Sequence, residues 1–175
     1  MDSNILRVLN ETEMSPIEIC RALQDSSFGT SLRESQFVFP LVETVHVLGL
    51  AISVGIILIT DLRLIGVAMA REHVADVTKQ LKPWMMFGFA IMFVSGGLLF
   101  SCEAAKLYVS TAFRIKLIFL LLAGLNAVLF ETTIGRSVEF WKEPIPSRAK
   151  FAGWASLICW IAVIIFGRWT AYGLS

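Results

Sequence analysis

Four apolar blocks of about twenty residues, at 40–60, 84–101, 112–130 and 151–172, decide what this chain can fold into. Hydrocarbon offers no water to backbone N–H and C=O groups, so a crossing segment must satisfy them as a helix or within a closed barrel. A barrel needs many alternating segments of about ten residues, whereas these blocks are continuous. Each is close to the ~20 residues that cross ~30 Å of hydrocarbon at 1.5 Å per residue. The expected fold is all-α, an integral membrane four-helix bundle over residues 37–175. Trp84, Trp141, Trp154, Trp169 and Tyr172 fall at or near the block ends, where amphipathic rings favour the headgroup region.

Composition agrees. The chain is 56% hydrophobic and 17% charged, against about 45–50% and 25% in soluble domains. The charges lie mostly between the blocks. A net charge of +1 gives no polyelectrolyte attraction, so nucleic acid is not an expected partner. Membrane lipids are, together with a second copy of the chain or other membrane subunits.

Residues 1–36 carry many charges and no early apolar run, so no secretory signal is expected. Their mixed polarity suggests short amphipathic helices at the membrane surface. Ser15-Pro16-Ile17-Glu18 has a hydroxyl cap, proline at the first helical position and a carboxylate three residues after the cap. Gly29, after Phe28, is expected to end that helix in the left-handed conformation. Ser31-Leu32-Arg33-Glu34 repeats the capping pattern before the first block. Cys20, Cys102 and Cys159 have no ligand spacing and give no disulfide framework.

Two loops, 61–83 and 131–150, are expected on one membrane face. The link at 102–111, with both termini, belongs to the other. Lys and Arg divide almost evenly between the faces. The loop face holds them in short connections and the N-terminal tail is net acidic, which favours loops in the cytoplasm and both termini in the periplasm.

Alternation of the spans brings Glu43, His46, Glu103, Lys106, Arg114, Lys116 and Arg168 to the terminal face. Glu43 and His46, three apart, share a helix face. His46, Gly49, Ser53 and Thr60 continue it as a stripe of small or polar residues, matched by Gly88, Met92, Ser95 and Gly96 in the second span; such stripes let helices approach closely. Asn126 is expected to hydrogen-bond to a neighbouring helix. Lys116, Leu120, Gly124, Ala127 and Glu131 share a separate face of the third span. Lys106, Arg114 and Lys116 have a bland alternative, snorkelling to headgroups. Glu43, His46 and Arg168 lie within spans, where an unpaired charge costs at least ~2–3 kcal/mol. They must therefore pair with one another or serve a ligand or proton.

No P-loop, HExxH, GxSxG or Rossmann fingerprint occurs, so nucleotide-dependent or hydrolytic enzymology has little support. Asn10-Glu11-Thr12 is a glycosylation sequon only in a glycosylating compartment. Haem b would need His46 as an axial ligand, a second ligand from Met92 or another protomer, and cations for its propionates. His73, the other histidine, belongs to the opposite face. A quinone or lipid headgroup could use the same residues without a second axial ligand. A proton relay through Glu43 and His46, or small-solute passage, would require an oligomer.

Leu32-Arg33-Glu34-Ser35, Pro40-Leu41-Val42-Glu43 with His46 and Gly49, and Asp61-Leu62-Arg63-Leu64-Ile65-Gly66 resemble a bacterial family of small four-helix membrane proteins of unknown function. Pro83-Trp84, Phe113-Arg114-Ile115-Lys116, Leu125-Asn126-Ala127 and Gly167-Arg168-Trp169-Thr170-Ala171-Tyr172 extend the resemblance, from about residue 25 onward. It implies a bacterial inner-membrane location and no activity. It also implies a histidine in many relatives where this chain has Glu131, a departure that weakens a metal or haem site drawn from the family. The expected function is a non-enzymatic subunit or accessory protein with a polar ligand or lipid site at one membrane face.

Overall fold

The computed structural model describes residues 15–69, 71–135, 138, 141 and 145–172, and they form helices with no strand. Two short helices, α1 (Pro16–Gln24) and α2 (Ser27–Glu34), precede four long ones: α3 (Val38–Ile65), α4 (Val74–Val109), α5 (Thr111–Leu129) and α6 (Ser147–Ala171). The four long helices are apolar enough to cross a membrane, and only 6% to 33% of each apolar window is buried within the chain. Large side chains such as Phe93, Leu121, Phe151 and Ile158 are exposed. Water-soluble monomers rarely show so continuous an apolar surface; this is a multi-pass membrane protein.

α3, α4 and α6 are longer than their apolar blocks, and a π turn carries α5 past the end of its own. α3 continues past Thr60 to Ile65 and ends where Gly66 takes a positive φ of 91°. There Val67 N–H donates to Leu62 O at 2.9 Å and Gly66 N–H to Arg63 O at 3.1 Å, the paired bonds of a Schellman stop. α4 begins at Val74, so Pro83 is inside a helix and not in a loop. Proline frees one carbonyl a turn earlier, that of Lys79, which is exposed and can turn to water or headgroups. α5 widens into a π turn over Phe130–Ile134.

The helices pack in the order α4, α3, α6, α5, and α4 and α5 scarcely touch. The small-residue stripes explain the close pairs. A Cβ at Gly88 would lie 2.8 Å from Ser53 N and 3.0 Å from Gly49 O, so α3 and α4 meet backbone to backbone. Ser53 Oγ, which donates to Gly49 O at 2.8 Å, lies 3.0 Å from Met92 Sδ across that contact. α6 meets α3 through Ala149, Ala152, Gly153 and Ser156, all buried; a Cβ at Gly153 would reach Asp61 O at 3.2 Å. Asn126 Nδ2 donates to Ala152 O at 3.0 Å, binding α5 to α6 as expected.

The N-terminal helices begin as expected but divide differently. Ser15 N–H donates to Glu18 Oε2 at 2.7 Å. The first helix stops at Gln24, and Ser26 caps a second by accepting from Gly29 N at 3.1 Å. Gly29 is therefore inside α2, not a left-handed stop, and Ser31 to Glu34 form its last turn, not a cap. Gly29 is small for another reason: a Cβ there would meet Leu23 O, Gln24 O and Ser101 O at 2.7 to 3.0 Å. α1 and α2 thus lie against α4, where Glu103 breaks helical geometry with φ −131° and ψ 28°. Arg33 Nη1 donates to Cys102 O at 3.1 Å, and Ala105 N–H donates to Gln24 Oε1 at 3.1 Å. The short helices supply partners for backbone groups at the kink. The Asn10-Glu11-Thr12 sequon lies outside the described residues.

Candidate functional site

The structure does not gather the seven charged residues of the terminal face into one site. Glu103 and Lys106 pair with each other one turn apart, at 2.9 Å. Arg114 Nε donates to Tyr108 O at 3.0 Å and its guanidinium lies 5.4 Å from the Tyr108 ring. Arg168 donates to Tyr172 Oη at 2.8 Å and stacks over that ring at 4.7 Å. Lys116 lies along Gly167, with Nζ 5.8 Å from the Phe113 ring centre. Glu43 is exposed and forms no salt bridge among the described residues. For Glu103, Lys106, Arg114 and Arg168 these are local arrangements at helix ends, consistent with the snorkelling alternative, whereas Lys116 packs across onto α6.

His46 is the exception. It packs over Gly96, with Nδ1 2.9 Å from Ser95 Oγ. The Ser95 hydroxyl donates its one proton to Ile91 O at 2.6 Å, so Nδ1 must be the donor to Ser95. The Met92 backbone is a further partner of the ring, and Lys116 is in electrostatic reach. The same contacts give His46 a structural role, joining α3 to α4. Met92, the in-chain candidate for a second haem ligand, has its sulfur engaged by Ser53. No group of three or more metal-ligating side chains occurs among the described residues.

A cavity of about 350 Å³ lies instead toward the loop face. Its wall is built by the helix order: α3 and α6 form the back, and α4 and α5 stand apart in front. Phe89, Phe93, Met85 and Met86 line it from α4, and Leu120, Ala123, Gly124 and Ala127 from α5. Trp160 of α6 forms part of its inner wall, its ring 5.6 Å from Phe89. The cavity spans Thr78 to Phe93 of α4, roughly 22 Å of helix at 1.5 Å per residue. Leu120, Gly124, Ala127 and Glu131, grouped by periodicity, do share its surface.

Its polar groups lie toward one end. Asp61, Ser156, Asn126, Lys82 and Glu131 line it there. Asp61 is only 5% exposed, and its Oδ2 is buried with no hydrogen-bond partner. The Ser156 hydroxyl stands beside the carboxyl group. Arg63, two residues on, turns to the loop and donates from Nε to Glu72 O at 2.7 Å. Lys82 and Glu131 pair at 2.8 Å across the gap between α4 and α5. Both side chains are about half exposed, and such pairs contribute about 0.2–1 kcal/mol. The pair therefore tethers this end of the seam without holding it shut. Below, the connection at Ser110 joins the same helices. On the loop side, Leu64, Val74, Ile145 and Ala149 form a second small core with Phe130 and Trp141 packed against it.

Sequence periodicity missed Asp61 because Asp61 and Arg63 end the apolar run. The signal that could have found it is Gly66: a glycine stop there keeps both charges inside the helix.

No curated protein and no solved structure is matched by the chain. A family model does match, across residues 36–173, which takes in all four long helices and every residue of the cavity. The chain belongs to that family, the family of unknown function DUF6644.

Proposed function

We propose that this protein is a non-enzymatic membrane subunit or accessory protein that binds a lipid-soluble amphiphile between α4 and α5. The observation that carries this reading is the apolar cavity with an orphaned carboxyl oxygen toward one end. Its volume of about 350 Å³ is within the ~300–1,000 Å³ of small-molecule sites. A gap facing the bilayer suits a ligand that arrives from the lipid, its tail among Phe89, Phe93 and Leu120 and its head toward Asp61. The polar ligand site expected at the terminal face is thereby moved to the loop face.

Gly124→Phe tests it. Gly124 lines the cavity and nothing lies within 4 Å of a Cβ added there, so the backbone has room for a side chain that takes up cavity space. Organic extracts of purified wild type should contain an amphiphile at near-stoichiometric amount that the Gly124→Phe protein lacks. Matching extracts from two equally folded proteins would contradict the reading.

We also place the protein in a bacterial inner membrane with the loop face toward the cytoplasm, supported by the cations held in its short loops. A reporter enzyme that works only outside the cytoplasm should be active when fused after residue 175. Activity only in fusions to the 66–73 loop would reverse the orientation.

A further inference from the structure

We infer that the ligand carries a positive charge: the cavity is a site for a hydrophobic ammonium, and Asp61 selects it. This rests on the amphiphile reading and adds the chemistry of the head. Among the described residues, three charged side chains line the cavity, Asp61, Lys82 and Glu131. Lys82 and Glu131 satisfy each other at 2.8 Å. Among the described residues Asp61 has no cation: Arg63 donates to Glu72 O, and the neutral Ser156 is the polar group at its side. A carboxylate buried without a donor is costly, and buried charges in proteins are held by pairing. Asp61 is itself one of the residues that line the cavity, its Oδ2 buried just behind the cavity surface.

The rest of the lining suits the same ligand. Phe89, Phe93, Phe130 and Trp160 present aromatic surface to the cavity, and ring faces attract cations most strongly where water is excluded. Met85 and Met86 give it an adaptable, polarisable wall. An anionic head would meet Asp61 with Lys82 already engaged. A neutral hydroxyl would complete Oδ2 but leave the charge unbalanced. The ammonium answers both.

The full-length protein in phosphatidylcholine nanodiscs can be titrated calorimetrically with decylammonium, whose N–H groups can donate, and with decanol, which share a chain and differ in head. Asp61→Asn should weaken the ammonium roughly ten- to hundredfold, the worth of a charged partner, and leave decanol unchanged. Comparing one probe between two proteins cancels its partitioning into lipid. Equal weakening of both probes, or of neither, overturns the selection by charge and leaves the amphiphile site standing. Failure of wild type to bind either probe, or undiminished binding of both by Gly124→Phe, overturns the amphiphile reading itself. Should Asp61→Asn not fold, wild type and Gly124→Phe are compared with decanoate added as a third head. A cavity-dependent component largest for the ammonium supports the inference, and one equal for all three heads overturns it.

Discussion

Gly88→Leu is expected to abolish the folded protein or to lower its stability by at least about 3 kcal/mol, the upper range for overpacking a close contact. A Cβ at Gly88 would lie 2.8 Å from Ser53 N and 3.0 Å from Gly49 O, both backbone atoms. A flexible side chain could move aside; two helix backbones can separate only by giving up the contact between α3 and α4. That contact includes the His46–Ser95 bond and the close approach of Ser53 Oγ to Met92 Sδ. It also sets the α4 wall of the cavity. Melting in detergent, followed by circular dichroism, should show a loss of roughly 6–12 °C for a chain of this size if any folded protein is recovered. Gly55 and Gly97 are the internal controls. Nothing lies within 4 Å of a Cβ at either position, so leucine there should melt at or above wild type, since glycine is a poor helix former. Equal melting of all three variants would mean that α3 and α4 do not meet at Gly88.

Gln24→Ala and Arg33→Ala are expected to destabilise by about 1–3 kcal/mol each, the cost of leaving a buried polar group without its partner. The effect comes from α4 and not from the short helices that carry the mutations. Glu103 breaks the helical ladder. Within a membrane-associated helix a freed backbone group has few substitutes for water. Gln24 accepts from Ala105 N–H and Arg33 donates to Cys102 O, one residue on either side of Ala104 and Glu103. Hydrogen exchange separates the two roles. Gln24→Ala should expose the Ala105 amide to rapid exchange, whereas Arg33→Ala, which frees a carbonyl, should leave that amide protected at low denaturant. Unchanged Ala105 exchange in Gln24→Ala would remove the proposed role of α1.

The bundle was legible because hydrocarbon imposes one solution on a long apolar run, whatever its neighbours. The small-residue stripes were legible too: Gly49, Ser53, Gly88 and Ser95 lie at helical spacing and do meet. Two things were hidden, each for a physical reason. Helix ends inside charged segments do not register in an apolar window, so Asp61, Arg63, Lys82 and Glu131 were assigned to loops. All four belong to helices, Glu131 in the π turn. The convergence of charge at the terminal face followed correctly from alternation of the spans. Convergence at a face is nonetheless weaker than contact. Arg114, Arg168 and Lys106 each satisfy themselves within six residues of chain. The spacing of the helices decides where a site can open, and sequence periodicity does not report that α4 and α5 stand apart.

The most direct measurement is photolabelling of the protein in nanodiscs by an alkyl amphiphile that bears a diazirine on its chain, with the labelled residues mapped by peptide mass spectrometry. Label should concentrate on Phe89, Leu120 and Trp160, which line the cavity, and Gly124→Phe should remove it. Label spread evenly over lipid-facing residues such as Leu121 and Ile158, and unaltered by Gly124→Phe, would contradict a ligand site between α4 and α5.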